Sequence, residues 1–231
     1  MSEQSGNQQS AVTDALASRL EAQQAAASGW ARALRELGAL DRAMYEAVAD
    51  TPTPQLDAFF RRLSDAATYS RLWFGAAAAI AALGGPRGRQ AAVEGVLAIG
   101  VTSATVNLGM KPLAQRPRPD PAGRALTGAR RVRMPGSASF PSGHAASASA
   151  FAYAVGRHLP GLAVPVRLLA AAVAYSRVHT GVHYPGDVVM GSVVGAGTAA
   201  TVGAAFDRAR SRGSANPPVD PQPSRIRRPK R

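Results

Sequence analysis

Five apolar runs, all rich in alanine and glycine, divide this chain of 231 residues. They cover residues 66–85, 91–110, 145–156, 162–175 and 188–206. A bilayer crossing needs about 20 mostly apolar residues. The last run reaches this length without a charge, whereas Arg71, Glu94 and Arg167 interrupt three of the others. Since glycine and alanine let helices pack closely, we predict an all-α fold: a helical membrane bundle with about five spanning helices. A soluble all-helical bundle is the alternative.

The remaining segments are polar and divide the chain into four regions. Residues 1–10 are polar and residues after 207 combine proline with arginine, and both compositions predict disorder. The predicted regions are a disordered N-terminus at 1–10, an amphipathic helical region at 11–65, the bundle at 66–206 and a basic disordered tail at 207–231.

The amphipathic region has apolar side chains at helical spacing, as at Trp30 and Leu34. Glycine weakens a helix, so breaks are predicted near Gly29 and Gly38. The prolines within 51–54 end this part, and a further short helix is predicted over 55–64. We expect these N-terminal amphipathic helices to lie on the surface of the rest of the protein, with docking at the membrane interface as the alternative.

The charge is strongly positive and unevenly distributed. Lys and Arg number 27 against 14 Asp and Glu, and nine of the acids precede residue 66. This imbalance predicts a phosphate-rich partner, such as an anionic lipid or a phosphorylated substrate. Nucleic acid is not expected, because the basic tail has no aromatic side chains on which bases could stack. The absence of cysteine excludes disulfides, thiolate metal sites and a cysteine nucleophile.

Three short motifs lie at the ends of the apolar runs. Lys111 and Arg118-Pro119 follow the second run, Pro141-Ser142-Gly143-His144 precedes the third, and Ser176-Arg177, His183 and Asp187 join the fourth to the fifth. Consecutive helices alternate direction in an antiparallel bundle, so the three motifs are expected to meet at one end. Arginine and lysine cations with the amides of a helix N-terminus form an anion site that suits a phosphate. Two histidines, His144 and His183, are predicted to face it. Ser142 and Asp187 also fit helix caps.

These motifs resemble the three signature motifs of the type 2 phosphatidic acid phosphatase superfamily, in which they read Lys, six residues, Arg-Pro; Pro-Ser-Gly-His; and Ser-Arg, five residues, His, three residues, Asp. The resemblance implies that His183 is the nucleophile that forms a phosphohistidine, that Asp187 holds its other ring nitrogen, and that His144 is the acid and then the base. It also implies a set of groups that bind the phosphate, namely Lys111, Arg118, Ser142, Gly143 and Arg177. No metal or cofactor is expected.

The resemblance predicts a membrane phosphatase acting on a lipid phosphate or a prenyl (di)phosphate. With five spans the basic tail lies opposite the active site, and positive residues favour the cytoplasm, so we predict an extracytoplasmic active site in the cell membrane. A vanadate-dependent haloperoxidase and a catalytically silent membrane scaffold are the alternatives. Residues outside the motifs receive other predictions. His158 and His179 are predicted to be structural, and Glu94 and Asn107 to face the bundle interior. Four arginines are predicted to be solvated or to contact a substrate headgroup: Arg116, Arg130, Arg131 and Arg133.

Overall fold

A computed structural model describes residue 19 and residues 28–120 and 128–214, and its regular structure there is helical. The helices are α1 over 28–50, α2 Pro54–Ala66, α3 Arg71–Leu83, α4 Gly85–Ala104, α5 Lys111–Ala114, α6 Gly143–His158, α7 Pro160–His179 and α8 Pro185–Ser214. A π-helical turn, Thr105–Met110, joins α4 to α5 without a break, and a short 3-10 turn, Thr68–Ser70, joins α2 to α3. The predicted all-α bundle is confirmed.

Helix α6 lies at the centre of the bundle, in contact with α4, α7 and α8. Its buried side chains are mostly alanines, so the neighbouring backbones approach closely. Phe151 supplies most of its bulk and packs on Trp73 of α3, with ring centroids 5.3 Å apart. The glycines of α8 serve the same packing, since a Cβ atom at Gly191 or Gly195 would collide with the backbone of α6. The small residues predicted to allow close packing are therefore at the helix interface.

Within the part of the chain that the structure describes, three helical segments are long and apolar enough to cross a membrane: Gly85–Ala114, Pro160–His179 and Pro185–Arg212. The predicted runs that correspond to α3 and α6 form helices of 13 and 16 residues, shorter than the about 20 residues of a full crossing. Helix α8 also differs from the prediction, because it continues beyond Phe206 to Ser214. The remainder of the predicted tail and residues 1–10 lie outside the described residues.

The N-terminal helices cover the end of the bundle that carries the three motifs. The break predicted at Gly38 is wrong, since α1 runs through this residue, and the break predicted near Gly29 falls at the edge of the described residues. Helix α2, Pro54–Ala66, begins one residue before the predicted helix over 55–64 and ends two residues after it. It packs against α7, as expected of a surface helix.

The opposite end of the bundle holds a buried ionic cluster around Glu94. The Glu94 carboxylate is buried, 2.7 Å from His158 Nε2 and 3.3 Å from Arg157 Nε, and Arg157 in turn pairs with Asp207 at 2.8 Å. The interior position predicted for Glu94 and the structural position of His158 both agree with these contacts. Asn107 differs from its prediction, because its side chain is exposed and donates a hydrogen bond to Ser103 at 3.1 Å.

Candidate active site

The three motifs meet at one end of the bundle, around a cavity of about 250 Å³. The walls include five of the eight predicted site residues, which are Lys111, Arg118, Gly143, His144 and His183. Arg177, Ser142 and Asp187 are buried behind this lining. The backbone N–H of Ser142 donates to the carbonyl oxygen of Asp187 at 2.9 Å, which fixes the second motif against the third.

Arg118 holds the loop before α6 against the loop before α8. Its guanidinium donates to the carbonyl oxygen of Ser137 at 2.9 Å and to that of Val182 at 3.0 Å. The same NH1 group lies 3.2 Å from His183 Nε2. The planar fork of arginine therefore sets the position of the imidazole as well as the position of its own charge.

Lys111 and Gly143 lie side by side in the cavity wall. The Lys111 ammonium donates to Ser137 Oγ at 3.2 Å. A Cβ atom at position 143 would lie 4.0 Å from Lys111 Nζ, so the absence of a side chain there keeps space open beside the cation.

Ser142 is the N-cap of α6 and accepts from the Ala145 amide at 3.5 Å, as predicted. Asp187 is not an N-cap, because α8 begins two residues earlier, at Pro185. The first turn of α6 thus begins at the cavity. Its backbone amides lie at the positive end of the helix dipole, which favours an anion.

Arg177 is buried near the end of α7 and donates one hydrogen bond to Ser64 of α2. Its Nε atom has no hydrogen-bond partner among the described residues. His144 Nε2 is likewise buried and without a partner in that part of the chain. Buried polar atoms are normally hydrogen-bonded, so these two atoms beside an anion-sized cavity are groups that a bound ligand could satisfy.

His183, in the loop before α8, and Asp187, in the first turn of α8, form a buried pair four residues apart. His183 Nδ1 lies 3.5 Å from Asp187 Oδ2 and 3.3 Å from Ser139 Oγ. Ser139 donates to the same carboxylate oxygen at 2.5 Å, and so does the Tyr184 amide at 3.0 Å. Since Arg118 can only donate, Nε2 accepts and the ring proton is on Nδ1, next to the carboxylate. The imidazole therefore presents a lone pair at the cavity.

Burial lowers the pKa of His183 to about 4, with the hydrogen bond to Asp187 opposing the shift and the charges of Arg118 and Arg177 adding to it. The ring is consequently neutral at physiological pH and gains its proton only as the pH falls through about 4. A neutral ring is the form that a nucleophile requires.

This pKa can be measured directly, because the chain has only four histidines. In protein labelled with ¹⁵N-histidine, we expect the His183 ring signals to stay those of neutral imidazole well below the ordinary value of 6.5. The His183→Gln variant identifies the signals. A midpoint at 6.5 would contradict the buried environment described above.

Two arginines have partners that were not predicted from the sequence. Arg116, predicted to be solvated or to contact a headgroup, instead pairs with Asp187 at 2.8 Å and with Asp41 of α1 at 2.6 Å. Arg130, given the same prediction, is buried and pairs with Asp57 of α2 at 2.8 Å. That prediction is therefore wrong for both residues, whereas Arg131 and Arg133 are exposed.

His179, predicted to be structural, lies 3.0 Å from the Asp57 carboxylate. Ser139 belongs to no motif, and no signal in the sequence distinguished it. Across residues 28–120 and 128–214, no group of three or more His, Asp or Glu side chains is placed to hold a metal ion.

The fold and the cavity define a helical membrane protein with a cationic, histidine-containing pocket at one end. The family model of the PAP2 superfamily matches residues 91–210. The chain belongs to this superfamily, which confirms the resemblance found in the motifs.

Relatives and solved structures agree with this assignment. The chain is similar to decaprenylphosphoryl-5-phosphoribose phosphatase of two Mycobacterium tuberculosis strains, with 42% identity over 106 residues, 45% of this chain and 56% of each relative. The chain thus matches about half the length of these curated relatives. The structure of LpxE from Aquifex aeolicus aligns with a TM-score of 0.58 and 22% identity, covering 71% of this chain and 94% of that one.

A second structure is the first transmembrane PAP2 type phosphatidylglycerolphosphate phosphatase from Bacillus subtilis. It aligns with a TM-score of 0.58 and 23% identity, covering 75% of this chain and 87% of that one. At this level of identity the two structures show a shared fold. Together with three apolar helices, the fold identifies an integral membrane protein.

Proposed function

We propose that this protein is a membrane phosphatase that hydrolyses the phosphate ester of a polyprenyl-linked or other lipid substrate through a phosphohistidine. The observation that carries the proposal is the His183 imidazole, held between Asp187 and Arg118 with Nε2 at the wall of a cationic cavity. The curated relatives are named for action on a decaprenyl-linked phosphate, which favours prenyl-linked substrates among the lipid phosphates.

In the first step, the His183 Nε2 lone pair attacks phosphorus in line with the ester oxygen. The N–P bond forms as the P–O bond breaks, and His144 gives a proton to the departing alkoxide. Burial and the neighbouring cations, Arg177 first, lower the pKa of His144 to about 2, so it takes up this proton only with the bound phosphate, whose negative charge raises the pKa of an adjacent imidazole. The carboxylate of Asp187 holds the Nδ1 proton and stabilises the positive charge that the ring acquires. This is the role that a buried carboxylate has beside any catalytic imidazole.

In the second step, a water molecule attacks the phosphohistidine. His144, now neutral, accepts a proton from that water as the new P–O bond forms. The N–P bond breaks, the electron pair returns to His183 Nε2, and inorganic phosphate leaves. Both histidines end in their starting protonation states, so the cycle balances.

The charge on the phosphoryl oxygens is met by fixed groups of the protein. Lys111, Arg118 and Arg177 supply positive charge, and the Ser142 cap holds the amides of Gly143 and His144 at the start of α6. Stabilising equatorial oxygens is the main demand of phosphoryl transfer. Because three cations already serve this purpose, we expect activity without an added metal or cofactor.

The same geometry suggests an orientation in the cell membrane. The end of α8 opposite the cavity carries Arg208, Arg210 and Arg212. Positive charge next to a membrane span favours the cytoplasmic side. We therefore place the cavity on the extracytoplasmic side, where it receives lipid phosphates from the outer leaflet.

Phosphate release by the detergent-purified protein tests this function. We expect release from polyprenyl phosphate esters in EDTA at the rate seen with magnesium, and inhibition by vanadate, which mimics the transition state. Phosphatidate and phosphatidylglycerol phosphate, tested in parallel, define the lipid preference. A strict magnesium requirement would contradict the mechanism. Peroxide-dependent halide oxidation by the vanadate-loaded protein, without phosphatase activity, would favour the haloperoxidase alternative.

A further inference from the structure

Helix α1 contributes a carboxylate to the first turn of α8 and to Arg116, which follows α5. Asp41 Oδ2 lies 2.6 Å from Arg116 NH2, and its Oδ1 accepts from the Gly186 amide at 2.6 Å. An edge-to-face contact between Tyr45 and Tyr184, with ring centroids 5.5 Å apart, lies one turn further along the same helix. Asp41 is therefore part of a packed contact with the loop and not a solvated charge.

Arg116 joins this carboxylate to the catalytic pair. Its NH1 group donates to Asp187 Oδ1 at 2.8 Å, while its NH2 group faces Asp41. The guanidinium lies over the Tyr184 ring, 4.3 Å from the ring centroid, which limits its movement. Asp187 Oδ2, the other carboxylate oxygen, faces His183 Nδ1 at 3.5 Å. A continuous series of polar contacts thus runs from α1 to the imidazole.

Asp41, the second carboxylate that pairs with Arg116, affects the charge that Asp187 presents to His183. An arginine that paired with Asp187 alone would draw its negative charge away from His183 and weaken it as an acceptor for the Nδ1 proton. Asp41 shares the guanidinium and fixes its plane, so that Asp187 keeps both its charge and its orientation. Both effects act through Arg116 and require no contact between Asp41 and substrate.

We propose that Asp41 is a positioning residue for catalysis, which acts through Arg116 on the Asp187–His183 pair. The proposal rests on the proposed function, in which His183 is the nucleophile. It extends the active site beyond the region matched by the family model, residues 91–210, to a helix that the sequence indicated only as a surface element.

The test compares Asp41→Asn with a matched control on the same helix, Glu36→Gln, which removes an exposed carboxylate elsewhere on α1. We expect Asp41→Asn to lower kcat by about tenfold, the order of a charge-assisted hydrogen bond, with KM little changed. Glu36→Gln should keep the wild-type kcat. In an Arg116→Gln background, Asp41→Asn should have little further effect, because its route to Asp187 is gone.

The ¹⁵N titration of His183 separates positioning from simple undocking of α1. Loss of the Asp41 charge leaves Arg116 to neutralise Asp187, so the His183 midpoint should move further below its wild-type value. Undocking would admit water and move the midpoint up toward 6.5. A rise, an unchanged midpoint, or a loss of kcat that is fully additive with Arg116→Gln would each overturn the proposal.

The titration also keeps the two proposals distinguishable. If the wild-type protein releases no phosphate from any lipid of the panel, the proposed function fails. The midpoints of wild type, Asp41→Asn and Glu36→Gln still report whether Asp41 acts on His183. A wild-type kcat in Asp41→Asn, with full activity in the panel, would overturn the positioning role alone.

Discussion

We expect replacement of His183 by glutamine to remove phosphate release, with kcat lowered by at least about 10,000-fold. Glutamine retains polar atoms close to those of the imidazole, so it can accept from Arg118, but its amide cannot form a bond to phosphorus. The loss is this large because the whole covalent route depends on one atom, Nε2. Binding to Lys111 and Arg118 persists, so substrate affinity should change far less than kcat.

Covalent labelling of the protein with ³²P during turnover tests this prediction. Wild-type protein quenched during turnover of a ³²P-labelled substrate should carry phosphate that is released by acid and retained in base, as expected of a phosphohistidine. The His183→Gln variant should carry none. His158→Gln is the matched control, since His158 bonds to Glu94 at the opposite end of the bundle. A labelled His183→Gln protein would contradict the assignment of the nucleophile.

We expect replacement of His144 by glutamine to lower kcat by about 100- to 10,000-fold, the range for loss of a general acid and base. The effect differs in kind from that of His183→Gln. A leaving group that departs without a proton, such as 4-nitrophenolate, no longer needs His144 in the first step. The second step still needs it, because the attacking water must lose a proton.

Burst kinetics with 4-nitrophenyl phosphate distinguish the two histidines. The His144→Gln variant should release about one equivalent of nitrophenol per protein and then slow, with phosphohistidine accumulating. With a lipid substrate, no burst should appear, since its alkoxide leaves only when protonated. Equal losses on both substrates without a burst would contradict the role of His144 as acid and base.

The meeting of the three motifs could be predicted because it follows from chain direction alone. Helices that alternate in direction bring the end of α4 and the starts of α6 and α8 to one side, whatever their detailed packing. The cap at Ser142 was equally predictable, because serine before an alanine-rich helix is a strong local signal. Such features depend on neighbours in the sequence or on topology.

The contacts of Asp41, Ser139 and Arg116 could not be predicted in this way. A carboxylate on an amphipathic helix is solvated by default, and only the docking of α1 onto the bundle reverses this for Asp41. The break predicted at Gly38 was wrong for a related reason. Glycine costs about 1 kcal/mol in a helix interior, and the packing of α1 on the loop before α8 outweighs so small a local preference.

The active-site groups are far apart in the sequence. This separation determines when the site can assemble during synthesis of the protein. The residues that line the cavity and those that hold them in place come from positions as far apart as Asp41 and Asp187, so the chain between them must fold back before they can meet. Helix α8 is the last of the described segments to leave the ribosome, and it carries Asp187. If Asp187 has the proposed role, we expect a nascent chain to be inert until α8 has inserted and packed on the bundle.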